Sequence, residues 1–357
     1  MAESADTLLE LHYARGFTVR TMENGIRLVD IADPQQDEDK MPVSYHFALI
    51  PKEFNEKPSS LNGLEGYTPV RVPVERTLVM TMLQLSNFIA LDALAVVRGI
   101  TGTKNLFNKD IRTRVKDGRI VKIGMEGNFD PELILAADPE IIFISPFKRG
   151  GYDTIKETGI TLIPHLGYKE LHPLGQAEWL KFVALFLGCE AKADSLFSEI
   201  ESRYNELREK SLSSSFLPTV FSGEMHGGNW YAVGGQSTLA QLFRDAGADY
   251  IIKDNNTGGV NIEFEQLYSM AANADYWRIL NSYPGDFSYE ALKASEPRNE
   301  LFRAFREKKV IYCNMKQTPY YELSPVQPDV LLADLLAIFH PELMPEDYQP
   351  TFYHLLK

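Results

Sequence analysis

Asn128-Phe129-Asp130-Pro131-Glu132-Leu133 runs through Ala136-Ala137-Asp138-Pro139 into Glu140-Ile141-Ile142-Phe143-Ile144. Pro131 suits the first turn of a helix, and the Glu132 carboxylate complements the helix dipole there. A polar turn and then an apolar, strand-like run follow. The same order returns in the second half. Asn261-Ile262-Glu263-Phe264-Glu265-Gln266 leads through Ala271-Ala272-Asn273-Ala274-Asp275 into Tyr276-Trp277-Arg278-Ile279-Leu280. Both copies read Asn-x-x-x-Glu, short helix, polar turn, apolar strand. Upstream of each lies a helix–strand unit ending near glycine, at Gly99-Ile100 and Gly247-Ala248. Helix–turn–strand units are common, so coincidence is the plain alternative; the ordered repetition favours two similar lobes facing each other across a cleft.

Working outward, candidate strands are Thr77–Thr81, Ala95–Arg98, Glu140–Ser145, Thr161–Pro164, Pro218–Ser222, Tyr250–Lys253, Asp275–Leu280 and Lys309–Asn314. Helical patterns separate most of them, as parallel sheets with helices on their faces require. From Gln176 to Lys210 the helical periodicity is clearest. Trp179, Phe182, Val183, Phe186 and Leu187 share a stripe, and after Gly188 the pattern restarts at Leu196, Phe197, Ile200, Tyr204 and Leu207. The opening is different. Phe17-Thr18-Val19-Arg20 and Ile26-Arg27-Leu28-Val29 flank the turn Asn24-Gly25, Tyr45, Phe47 and Leu49 alternate, and residues 51–69 read as a loop. The expected fold is therefore α/β, with two Rossmann-like lobes joined by a long backbone helix and a small N-terminal antiparallel β extension. The expected boundaries are 1–69 for the extension, packed on the first lobe, 70–189 for that lobe, 190–212 for the connector helix and 213–357 for the second lobe.

Composition narrows the function. A chain of 357 residues has room for two cores, and its net charge of −13 disfavours nucleic acid, whose partners display a basic face. No run approaches the roughly 18 apolar residues of a membrane helix. Met1-Ala2-Glu3-Ser4-Ala5-Asp6 carries no basic or apolar stretch of an export signal. That suits a cytoplasmic chain, or a mature one whose signal has been removed. Cys189 and Cys313 read as buried free thiols, although sequence does not give their separation. Seven scattered histidines without a His-rich loop argue against a zinc or manganese site. Glu224, His226 and Asp245 are conceivable acid–base groups, but no nucleophile elbow, metal motif or dinucleotide fingerprint accompanies them, so no catalytic residue is assigned.

An ordered set of motifs resembles a known family. Pro73-Val74-Glu75-Arg76 precedes the first sheet, Asp138-Pro139-Glu140-Ile141-Ile142 enters a strand, and Gly159-Ile160 precedes the next. In the second half come Tyr231-Ala232-Val233-Gly234-Gly235-Gln236-Ser237, Ala246-Gly247-Ala248 and His340-Pro341-Glu342. Over residues 70–345 this is similar to the helical-backbone periplasmic binding proteins that serve ABC importers of ferric siderophores, haem and cobalamin. Pro173–Trp179, Ala274–Trp277 and the β-rich start look like a Bacteroidetes branch, whose members are commonly lipoproteins. The resemblance implies an extracytoplasmic solute-binding protein, periplasmic or lipid-anchored, monomeric, without a cofactor or resident metal of its own. It would bind an iron chelate or haem, alternatively a corrinoid, and deliver it to a permease dimer. Glu132 and Glu265 match residue by residue the two acidic positions that pair with permease arginines; otherwise they simply stabilise helix starts.

Ligands of such folds sit beyond the carboxyl ends of the strands. The candidates there are Met82 and Gln84, then Phe147, Lys148, Arg149 and Tyr168. In the second half they are Glu224, His226, Trp230 and Tyr231, then Lys316, Tyr320 and Tyr321. Aromatic faces bury area at low entropic loss, and Lys148, Arg149 and Lys316 suit an anionic ligand. Trp230 follows Gly227-Gly228-Asn229 and is expected on an exposed loop, whereas Tyr276 and Trp277 are expected in the core. A lone histidine such as His226 is more often structural than an iron ligand.

Overall fold

The computed structural model describes residues 7–36, 44–57, 61–102, 106–125, 127–146 and 152–357. The chain forms two compact units. One comprises Met1–Glu170, Leu174–Ser198 and Tyr321–Val326, and the other Leu171–Pro173, Glu199–Tyr320 and Gln327–Lys357.

The first unit begins with strands β1 (Thr7–Leu8), β2 (Phe17–Thr21), β3 (Arg27–Ala32), β4 (Ser44–Pro51) and β5 (Thr68–Val72), hydrogen-bonded in that order. Gly25, at φ +80°, makes the β2–β3 turn. The expected purely antiparallel extension needs correcting at its edge, because β5 runs parallel to β4 and draws residues from 68 onward into this sheet. A second sheet follows, built from β6 (Thr77–Val79), β7 (Val97–Ile100) and β8 (Val121–Lys122). The hairpin β9 (Gly124–Met125) and β10 (Asn128–Phe129) comes next, and then β11 (Ile141–Ile144) and β12 (Thr161–Pro164) complete the sheet. Its order is β12-β11-β6-β7-β8, all parallel. Growth reverses between β6 and β11, which makes that junction the topological switch point. The β7 strand starts two residues later than expected, because Leu94–Val96 coil into a 3-10 turn.

Helices α1 (Met82–Ala90), α2 (Lys109–Lys116), α3 (Pro131–Ala136), α4 (Asp153–Lys156) and α5 (Pro173–Leu187) accompany these strands. Every residue of α5 from Ala177 to Phe186 except Lys181 is buried, including Glu178, so the helix is buried on nearly all sides rather than along one stripe. Phe17 of β2 meets Trp179 and Phe182 edge-on, with ring centroids 4.9 and 5.2 Å apart, and this joins the N-terminal sheet to the core of the unit. Gly188, at φ +67°, ends α5, and α6 (Glu190–Ser211) then runs for 22 residues, about 33 Å. The boundary between the units falls within α6, between Ser198 and Glu199.

The second unit holds β13 (Thr219–Ser222), β14 (Glu224–His226), β15 (Asn229–Val233), α7 (Thr238–Asp245), β16 (Asp249–Tyr250), β17 (Gly259–Ile262), α8 (Phe264–Ala271), β18 (Tyr276–Asn281), β19 (Val310–Asn314) and β20 (His354–Leu355). Its main sheet is ordered β16-β13-β18-β19-β20, parallel except for β20, and it switches between β13 and β18. In both units, then, the strand that closes the repeated sequence element lies directly beside the first strand of its parallel sheet. The echo extends to detail. Asn128 and Asn261 lie in short antiparallel strands, and Glu132 and Glu265 are each the second residue of the helix that follows. Cys189 and Cys313 are both free thiols.

Two buried carboxylates hold the start of the chain against α5. Glu178 accepts hydrogen bonds from the backbone N–H groups of His12 (3.0 Å), Tyr13 (2.8 Å) and Ala14 (2.8 Å). Glu170 accepts from Arg15, from Gly16 and from the Trp179 indole at 2.8 Å. Removing either acceptor leaves buried donors without partners. Glu178→Ala is expected to destabilise the protein by about 3 kcal/mol or more, lowering the melting temperature by at least about 5 °C. An unchanged melting curve would show that these contacts contribute nothing.

Candidate functional site

At the switch point of the first unit, β6 runs into Met80 and Thr81, and Thr81 caps α1. Gln84 Oε1 accepts from the backbone of Met80 (2.7 Å) and Thr81 (3.2 Å), while its Nε2 donates to Ser145 Oγ (3.2 Å) just beyond β11. Gln84 is fully buried. The expectation that it touches ligand is therefore corrected, because its polar atoms brace the two strand ends. Met82, the first residue of α1, is half-exposed at the same end. Tyr168 lies half-buried on the 3-10 turn Gly167–Lys169 after β12. Phe147, Lys148 and Arg149 lie outside the described residues. His165, also beyond β12, belongs to the core, fully buried with its ring 4.7 Å from Trp179.

In the second unit the small sheet β14-β15-β17 is antiparallel, and its side chains point alternately to two faces. Trp230, Ala232 and Ile262 turn inward, whereas Glu224, His226, Tyr231 and Asn261 share the other face. Trp230 is thus a correction. It lies within β15 with no exposed surface, and its indole N–H donates to Ser222 O at 2.9 Å. Trp277, in the core as expected, donates to Gly223 O at 2.8 Å. The two indoles fasten the carboxyl end of β13. Tyr231 is 51% exposed and is the cross-strand partner of Glu224. His226 is exposed on the same face, paired with Asn229 two positions along from Tyr231.

The sequence assigns no ligand role to Asn281, Tyr312 or Arg278, the polar groups around Glu224. Glu224 is half-buried, and its Oε1 accepts from Asn281 Nδ2 at 3.1 Å; Asn281 Oδ1 accepts from Tyr312 OH at 2.9 Å. Burial pushes the Glu224 pKa up, against the lowering pull of the Asn281 hydrogen bond and of His226 and Arg278. Arg278, in the middle of β18, is only 7% exposed, and its Nε and Nη2 both donate to the Tyr353 hydroxyl (3.0 and 2.5 Å). Tyr320, a sequence candidate, joins this cluster through a 3.0 Å contact with Tyr353 OH. Lys316 is exposed beyond β19. A charged residue inside an apolar strand was the sequence signal for Arg278, since such a group is buried only with partners.

Two sheets with parallel cores, each with a switch point flanked by polar and aromatic groups, define a two-unit α/β protein. The chain belongs to the periplasmic binding protein family, whose model matches residues 82–316. It is 26% identical over 291 residues to an uncharacterized lipoprotein of Methanocaldococcus jannaschii, covering 78% of this chain and 68% of that one. Among solved structures, a periplasmic haem-binding protein from Pseudomonas aeruginosa superposes with a TM-score of 0.62 at 19% identity, covering 80% of this chain and 98% of its own. A protein of the ABC-type Fe3+-hydroxamate transport system from Saccharomonospora viridis does so at 0.57 and 15%, covering 75% and 94%. At these identities the structural likeness establishes the helical-backbone, two-lobed fold.

Burial holds the His165 imidazole neutral, with its pKa pushed down from 6.5 to about 3. On acidification the unfolded chain takes up this proton first, so the folded state loses stability as pH falls below 6.5, by about 2 kcal/mol at pH 5. In urea titrations, His165→Gln should lose less stability than the wild type between neutral pH and pH 5. Parallel pH curves for the two proteins would rule this out.

Proposed function

We propose that this chain is the extracytoplasmic solute-binding component of an ABC importer. In this reading it captures an iron chelate, a ferric siderophore or haem, at the carboxyl ends of its strands and delivers it to a permease dimer. A corrinoid is the second choice. Family membership supports the binding role, and the haem and Fe3+-hydroxamate relatives support the ligand class. The lipoprotein relative supports attachment outside the cytoplasmic membrane.

The observation that carries the importer role is the pairing of Glu132 with Glu265. Each is exposed at the second position of a helix, and the two helices occupy equivalent places in the two units. Their surroundings differ. Glu265 meets Arg298 at 3.2 Å, whereas Glu132 forms no ion pair among the described residues. The Glu265–Arg298 contact is solvent-exposed, and such pairs contribute about 0–1 kcal/mol, so exchanging Arg298 for a permease arginine costs little. Carboxylates at helix starts also complement the dipole, but that local role needs no exposure of both groups at matched sites.

Calorimetric titration with haemin, cyanocobalamin and a ferric catecholate is expected to yield at least one dissociation constant below about 10 μM, roughly −7 kcal/mol. Failure of all three would sink the ligand class. The double variant Glu132→Lys, Glu265→Lys should bind its ligand within about twofold of wild type while permease-dependent uptake falls more than about tenfold. Undiminished uptake, or lost ligand binding, would refute the docking role.

A further inference from the structure

Glu224 stands at the opening of the second unit's switch point, on a backbone with little freedom. Gly223 before it adopts φ +103°, and a Cβ there would lie 2.0 Å from Tyr231 O and 2.8 Å from Trp230 Nε1. The indoles of Trp230 and Trp277 hold the carbonyls of Ser222 and Gly223. The side chain is oriented as firmly. Asn281 presents its Nδ2 to Glu224 Oε1, and its own carbonyl is held by Tyr312 OH, so both ends of the amide are engaged. Tyr312 is in turn stacked on Phe287, ring centroids 4.8 Å apart.

This scaffold positions an acceptor and leaves part of it unused. Glu224 Oε2 has no hydrogen bond among the described residues, and no cationic nitrogen among them lies within ion-pair distance of the carboxylate. Arg278 does not serve it, since both hydrogen bonds of that guanidinium go to Tyr353 OH. If Glu224 served only to hold Asn281, one neutral acceptor would suffice, and a glutamine would supply it without partly desolvating a charge. An oriented carboxylate with one free oxygen, beside the exposed ring of Tyr231 and the imidazole of His226, has the composition of a recognition point.

We infer that Glu224 Oε2 accepts a hydrogen bond from an N–H or O–H group of the cargo, so that the cargo carries such donors where it meets the second unit. The inference deepens the proposed binding role and rests on it. It sets a chemical criterion. Carboxamide, hydroxyl or ammonium groups are taken at this point, and carboxylates such as haem propionates are repelled there.

The test titrates wild type and the isosteric Glu224→Gln with three probes. Ferrioxamine B carries amide N–H groups and an ammonium, cyanocobalamin carries peripheral carboxamides, and the periphery of haemin carries carboxylates and no N–H or O–H donor beyond their acid form. Glu224→Gln turns an amide N–H towards the cargo in place of an acceptor. It is expected to weaken the donor-bearing probe that wild type binds by about tenfold, while haemin binding stays unchanged or tightens. N-acetylated ferrioxamine B separates a charged from a neutral donor, since only an ammonium contact is lost on acetylation. Should the variant fail to fold, difference infrared spectroscopy of wild type gives the second readout, as the carboxylate stretch should shift with a donor-bearing probe and not with haemin. Equal affinities in wild type and variant, or an unshifted band, overturn the inference and leave the binding role standing. Haemin as the tightest probe overturns it too. If no probe binds wild type, the ligand class falls and the inference falls with it.

Discussion

Where a parallel strand runs past its last paired residue at a switch point, the ladder no longer satisfies its backbone groups, and buried ones need other partners. Each unit meets this constraint with side chains. Gln84 supplies the acceptor for Met80 and Thr81 at the end of β6 and reaches across to Ser145. Trp230 and Trp277 supply donors to Ser222 O and Gly223 O at the end of β13, and Ser222 Oγ meets Tyr250 OH at 2.8 Å. These braces hold the strand ends from which the exposed groups project.

The braces also sort structural from accessible groups at the site. Large aromatic side chains that look like ligand contacts are spent on the backbone: Trp230 is enclosed with Phe221, Trp277 and Phe302 at centroid distances of 6.0, 5.3 and 5.6 Å. What remains on the open face of β14-β15-β17 is a smaller and more polar set that includes Glu224, His226, Tyr231 and Asn261. Preorganisation of this kind lowers the entropic loss of binding, because little remains to be ordered when a ligand arrives. Arg278 shows the same economy in the interior. Phenols and a thiol surround it, its two hydrogen bonds converge on one hydroxyl, and the face of Tyr353 lies 5.2 Å from the guanidinium.

The two units share a plan without sharing its details. Asp130 caps α3 through its side chain, accepting from Glu132 and Leu133, whereas Glu263 precedes α8 with no such bond. The first unit carries an additional sheet that packs on α5 and is held by Glu170 and Glu178, and the second closes its main sheet with the antiparallel strand β20. Common strand positions with different capping and edges are what a repeated element retains when only its topology is constrained.

Features that depend on near neighbours are legible along the chain. The repeated Asn-x-x-x-Glu element, the turn at Asn24-Gly25, the break at Gly188 and most parallel strands follow from periodicity and turn chemistry acting over a few residues. The sequence also orders enough motifs to reveal the family. Only the tertiary structure decided which groups face a ligand. Trp230 reads as a loop residue until β15 pairs with both β14 and β17 and turns it inward. Gln84 reads as a contact until Ser145, sixty-one positions away, takes its amide. Glu224 reads as one cleft candidate among several until Asn281 and Tyr312, from two other strands, orient it. Strand alternation and long-range hydrogen bonds set these roles, because the period of two makes the register of distant strands decide which face each side chain occupies.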